Sequence, residues 1–90
     1  MKLKDGFIIQ DIDGIQFMVP SGIGPFHGIV RNNQTAAFIV NCLREETTEE
    51  RIVDAMCREY DAPRDVIAAD VKETLATLRR IGTLEEPSEG

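Results

Sequence analysis

Ninety residues suffice for one small domain, which at this size buries roughly two thirds of the surface its unfolded chain exposes. The chain is 42% hydrophobic and 29% charged, and its 16 acids against 10 bases give a formal net charge of -6, which repels a polyanionic partner. No apolar run approaches the ~18 residues of a spanning helix, and the stretch Met1 to Phe7 has no apolar secretory core, so a cytoplasmic protein is expected.

Phe7–Ile12 and Ile15–Val19 are strand-length runs of β-branched and aromatic residues separated by Asp13-Gly14, a pair suited to the positive φ angles of a two-residue primed turn. A hairpin is therefore predicted. Alternation sets Ile15, Phe17 and Val19 on one face of the second strand against Gln16 and Met18, and Ile8 and Ile12 opposite Asp11 on the first. The apolar set is expected to face the core. Pro20 to Pro25 has two prolines and two glycines in six residues, so an exposed, kinked connector is expected there. Phe26 to Arg31 reads as a third short strand, in which Gly28 leaves room for another backbone. Such a strand ends the sheet in an open edge whose N–H and C=O groups have no further partner, an invitation to a guest strand.

Helical periodicity begins after Arg31-Asn32-Asn33, where Asn32 or Asn33 can cap the first helix. Ala36, Ala37, Phe38, Ile39, Val40 and Leu43 make that helix apolar over most of its circumference, and it is expected at the centre of the core. Thr47-Thr48-Glu49-Glu50 has capping-box spacing, Thr47 toward the third amide and Glu50 back to the cap. Behind it, Ile52, Val53, Met56 and Tyr60 recur at helical spacing. Asp61 can cap a third helix, with Pro63 in its first turn. Ile67, Val71, Leu75 and Leu78 form the core stripe of that helix, Val66, Ala69, Asp70, Glu73 and Thr74 lie beside the stripe, and Gly82 closes the helix after Arg79 and Arg80. Glu85 to Gly90 reads as a frayed polar tail. The fold class is then α+β: a single small winged-helix-like domain over 1–90, with a three-stranded antiparallel sheet at about 7–31 and three helices at about 33–82.

Catalytic and cofactor chemistry finds few residues here. One histidine, His27, and two separated serines make no nucleophile–base pair, and His27 reads as an ordinary strand residue. Cys42 and Cys57 sit mid-helix, read as small buried hydrophobes, and lack the Cys-x-x-Cys or clustered-histidine spacing of a metal site. Gly22-Ile23-Gly24 is not followed by the strand-turn-helix of a dinucleotide loop, and Asp11 and Asp13 lack the later ligands of a calcium loop. No enzyme activity, metal or cofactor is expected.

The hairpin is followed by Gly28-Ile29-Val30-Arg31-Asn32-Asn33-Gln34-Thr35-Ala36-Ala37-Phe38-Ile39. Next come Thr47 to Ala55, Glu59-Tyr60-Asp61, and Asp70-Val71 ahead of Leu75, Leu78 and Gly82-Thr83-Leu84. In that order, from about Phe7 to Leu84, the chain resembles the PqqD family, small peptide-binding proteins of pyrroloquinoline quinone (PQQ) biosynthesis and related pathways to ribosomally synthesised, modified peptides (RiPPs). It departs from the family's frequent Leu-Asn at the strand-to-helix junction, where it has Asn32-Asn33, and from a frequent aromatic near Val40-Asn41. The resemblance implies a RiPP recognition element that binds the leader segment of a precursor peptide and presents it to a modifying enzyme, typically a radical SAM protein holding the iron–sulfur chemistry. The guest would add as a strand along Gly28, Ile29, Val30 and Arg31, with Asp70, Val71, Thr74 and Leu75 of the third helix as the other wall. Val71 and Leu75 also serve as core residues on their periodicity.

Two other classes share this architecture. A winged-helix DNA-binding regulator needs a basic recognition helix, but the third helix sets Arg64, Lys72, Arg79 and Arg80 against Asp65, Asp70 and Glu73, which disfavours nucleic acid. A homo-oligomeric interaction domain would pair the same open edges across a two-fold axis as a homodimer.

Overall fold

The computed structural model describes residues 1–20 and 28–85. Five strands and three helices run in the order β1 (Lys2–Leu3), β2 (Phe7–Ile12), β3 (Ile15–Pro20), β4 (Val30–Asn32), α1 (Gln34–Cys42), α2 (Glu49–Glu59), α3 (Arg64–Arg80) and β5 (Leu84–Glu85). The antiparallel sheet β2-β3-β4 with the helices on one face is the expected α+β architecture. Asp13 and Gly14 take φ values of 53° and 80°, and Ile12 pairs with Ile15 across them, the geometry of a type I′ hairpin. Of the expected connector Pro20 to Pro25, Pro20 instead ends β3 opposite Phe7, while Ser21 to Pro25, the expected strand residues Phe26 and His27, and residues 86–90 lie outside the described residues.

The sheet turns the opposite face inward from the one that its alternation suggests. Met18 is fully buried and Gln16 nearly so, with Phe7, Ile9 and Val30 packed beside them on the core. Ile8 and Ile12 are 46% and 52% exposed, and Ile15, Phe17 and Val19 share their outer face. Burial of Gln16 is tolerated because both ends of its amide are bonded: Oε1 accepts from Asn32 Nδ2 at 2.8 Å, and Nε2 donates to Asn41 Oδ1 at 3.1 Å. Met18, flexible and apolar, fills the space above α1.

The helices form largely where periodicity places them. Asn33 caps α1, its Oδ1 accepting from the Ala36 N–H at 2.8 Å, and Ile39, Val40 and Leu43 are fully buried. The cap of α2 is Thr48, not Thr47: its Oγ1 accepts from the Arg51 N–H at 3.2 Å. With arginine three residues on, the reciprocal half of the expected capping box does not form. Pro63 occupies the N-cap of α3 without a side-chain bond, so Asp61 does not cap it. Ile67, Val71, Leu75 and Leu78 are the buried stripe of α3, as predicted. Gly82, at φ 82°, ends the helix in a Schellman motif: its N–H donates to Arg79 O, the Thr83 N–H to Leu78 O, and Thr83 Oγ1 to the same carbonyl. An Arg64–Asp54 ion pair at 2.6 Å ties α3 to α2 on the surface.

A second, two-stranded sheet has no counterpart in the sequence-based expectation. Lys2 pairs with Glu85 and Leu3 with Leu84, and Leu3 N–H donates to Leu43 O, so this ribbon is stitched to the end of α1. Leu84 is 7% exposed, and Glu85 belongs to β5 rather than to a frayed tail. No helix among the described residues is long and apolar enough to cross a membrane.

Candidate functional site

The hydrogen-bonding alternation of the sheet identifies which backbone groups are open. In a two-residue hairpin the residues flanking the turn exchange hydrogen bonds, so Ile15 and Phe17 point their N–H and C=O groups toward β2, and Gln16 and Met18 point theirs toward β4. Gln16 pairs with Asn32 and Met18 with Val30. Between them, the N–H and C=O of Arg31 point away from the sheet, along an edge that carries no further strand among the described residues.

That edge borders a groove of about 380 Å³. One wall is Val30 to Asn33, the end wall is Thr35 and Ala36 of α1, and the opposite wall is α3, through Asp70, Glu73, Thr74, Thr77, Leu78 and Ile81. The α3 residues recur every three or four positions and so form one stripe facing the edge. The groove is thus lined on one side by an unpartnered backbone and on the other by a mixed polar and apolar helix face, a setting that suits an extended peptide. Groups of three or more metal-ligating side chains are absent among the described residues.

The expected site residues divide. Val30 and Arg31 lie in β4 and line the groove, and Asp70 and Thr74 line it from α3. Val71 and Leu75 are fully buried, so they belong to the core and present no surface to a guest. Gly28 and Ile29 precede the strand rather than forming it, and Ile29 is 66% exposed. Gly28 has φ 108°, a conformation that glycine serves at the turn into β4, and a Cβ there would meet nothing of this chain within 4 Å. Asn32, Asn33, Thr35, Ala36, Thr77, Leu78 and Ile81 were not foreseen as groove residues. Stepping from Asp70 by one helical turn at a time reaches Thr74, Thr77 or Leu78, and Ile81, a signal available without the structure.

Cys42 and Cys57 are free thiols and only half-buried. Partial burial pushes the Cys42 thiol above its usual value, which makes it a poor nucleophile at neutral pH.

A family model described as coenzyme PQQ synthesis protein D (PqqD) matches residues 8–84. Among solved structures, the chain is similar to one described as TbiB1 in complex with the TbiA(beta) leader peptide. The TM-score is 0.80 and the identity 26%, over 99% of this chain and 100% of that one. No curated protein sequence matches.

Proposed function

The chain belongs to the PqqD family, and from that membership we propose that it is a non-catalytic peptide-binding protein that captures the leader segment of a ribosomally made precursor peptide by strand addition at β4. The observation that carries this reading is the juxtaposition of the outward N–H and C=O of Arg31 with a groove walled by α3. A strand laid there bonds to groups that the free protein leaves unpaired, while its inward side chains meet the helix. The similarity to TbiB1, whose structure is described as a complex with a leader peptide, supports the same reading. The bound leader would be presented in the cytoplasm to a modifying enzyme such as a radical SAM protein, in PQQ or related RiPP biosynthesis.

The test is amide NMR of the whole chain titrated with leader segments translated from short reading frames beside its gene. Shifts concentrated at Arg31 and along Asp70 to Ile81 are expected. Saturable binding whose shifts map elsewhere, or no binding by any such leader, would overturn the proposal. Light scattering of the free and peptide-bound forms distinguishes this use of the edge from self-pairing as a homodimer.

A further inference from the structure

The stripe that α3 presents to the β4 edge changes character along its length. Asp70 and Glu73 stand at one end, Thr74 and Thr77 in the middle, and Leu78 and Ile81 at the other. From Asp70 to Ile81 the helix rises about 16 Å. An added strand advances about 3.3 Å per residue and turns alternate side chains to the same face, so some five residues span that length and three of them face α3. Their spacing of about 6.6 Å is close to the 5.4 Å helical pitch, which sets one guest side chain against each zone of the stripe.

Charge makes the first zone selective. Asp70 and Glu73 are exposed, and neither has an ion-pair partner among the described residues, where the pairs are Met1–Glu46 and Arg64–Asp54. Arg31, the cation of the opposite wall, also lines the groove, but pleat alternation sets it on the outer face with its cross-strand neighbour Phe17, and it makes no ion pair with Asp70 or Glu73. A guest side chain entering opposite Asp70 and Glu73 therefore meets uncompensated negative charge. One entering opposite Leu78 and Ile81 meets an apolar wall supplied mainly by the half-buried Ile81, since Leu78 is only 3% exposed.

We infer that the groove reads its guest by a spaced code: a lysine or arginine four residues from a large apolar residue, with a small or hydroxyl-bearing residue midway. This rests on the strand-addition reading and adds to it the chemistry of the peptide selected. A leader with an acidic residue at the first position is rejected, and because the acids are solvent-exposed the discrimination weakens as salt screens it.

Selection from a displayed library of random twelve-residue peptides tests the code without knowledge of the natural precursor. The unaltered chain is compared with the double variant Asp70→Lys, Glu73→Lys, both at exposed positions where the fold tolerates the change. The expected result is enrichment of basic residues four positions from an apolar one by the first protein, and of acidic residues at that position by the second. Exchanging lysine for glutamate in an enriched peptide is expected to weaken binding to the unaltered chain about three- to tenfold at low salt and less at 0.5 M salt, where the Debye length is roughly 4 Å. Peptides enriched equally by both proteins, with no charge preference, would overturn the code while leaving strand addition intact. Failure of the unaltered chain to enrich any peptide would overturn strand addition and the code with it.

Discussion

Asn32 Nδ2 donates to Gln16 Oε1 at 2.8 Å between two residues that stand directly opposite each other in the β3–β4 ladder. Gln16 in turn donates to Asn41 Oδ1, so the last residue of a three-residue edge strand is tied through its neighbour to α1. The edge that borders the groove is thereby positioned by three amides.

Replacing Gln16 with leucine removes both bonds, leaving the buried amide of Asn32 without its partner and the exposed amide of Asn41 to water. The expected cost is about 1 to 3 kcal/mol, read by urea denaturation. Equal stability of Gln16→Leu and the parent would show that the network contributes nothing to the fold.

Proline scanning separates the two sides of β4. Arg31→Pro deletes an outward N–H that the sheet does not use, so it is expected to abolish peptide binding with a smaller loss in melting temperature than Val30→Pro. The latter breaks a ladder bond to Met18. Ile29→Pro, upstream of the strand, is expected to have the least effect of the three on the fold. Calorimetric titration beside a thermal melt reads each variant, and full-strength binding by folded Arg31→Pro would rule out a guest hydrogen bond to the residue 31 N–H.

Adjacent positions on α3 are expected to divide between stability and recognition. Leu75→Ala opens a cavity in the core at a cost of about 2 to 5 kcal/mol, a large share of the ~5 to 15 kcal/mol that holds a domain together. Thr74→Ala, on the groove wall, is expected to leave the unfolding free energy within about 0.5 kcal/mol of the parent and to act on peptide affinity. A Thr74 variant as unstable as the Leu75 variant would contradict the division.

Cys42 is expected to alkylate more slowly in the folded chain than in urea at pH 8, followed by mass spectrometry of the Cys42 peptide. Burial raises its pKa and so depletes the reactive thiolate. The sign for stability follows: the native state holds this proton more tightly than the unfolded state, so the contribution is complete below the unfolded thiol range and is lost as pH rises through the folded value. Identical native and denatured rates would refute the shift.

Local periodicity carried much of the fold. Ile67, Val71, Leu75 and Leu78 announce a helix face by spacing alone, and Asp13-Gly14 and Gly82 mark a turn and a helix end by their backbone requirements. The inward face of β3 was not legible. Its apolar alternate set, Ile15, Phe17 and Val19, points outward, and what permits Gln16 inside is a pair of amides 16 and 25 residues farther along the chain. Adjacent threonines at 47 and 48 are equivalent by composition, and only the geometry of the Arg51 amide chooses between them. For the groove, Asp70 and Thr74 follow from polarity beside the stripe, whereas Val71 and Leu75 satisfy two roles in sequence and only one in space.

The ribbon of β1 and β5 places Lys2 and Glu85 directly across from each other, about 5 Å apart. A host polypeptide spliced at those two points enters and leaves through one doorway, so the intervening eighty-odd residues can ride on a larger protein without stretching its ends apart. The same closeness makes the chain a natural subject for circular permutation: a short tether across the ribbon, with new termini cut elsewhere, preserves every strand pairing described above.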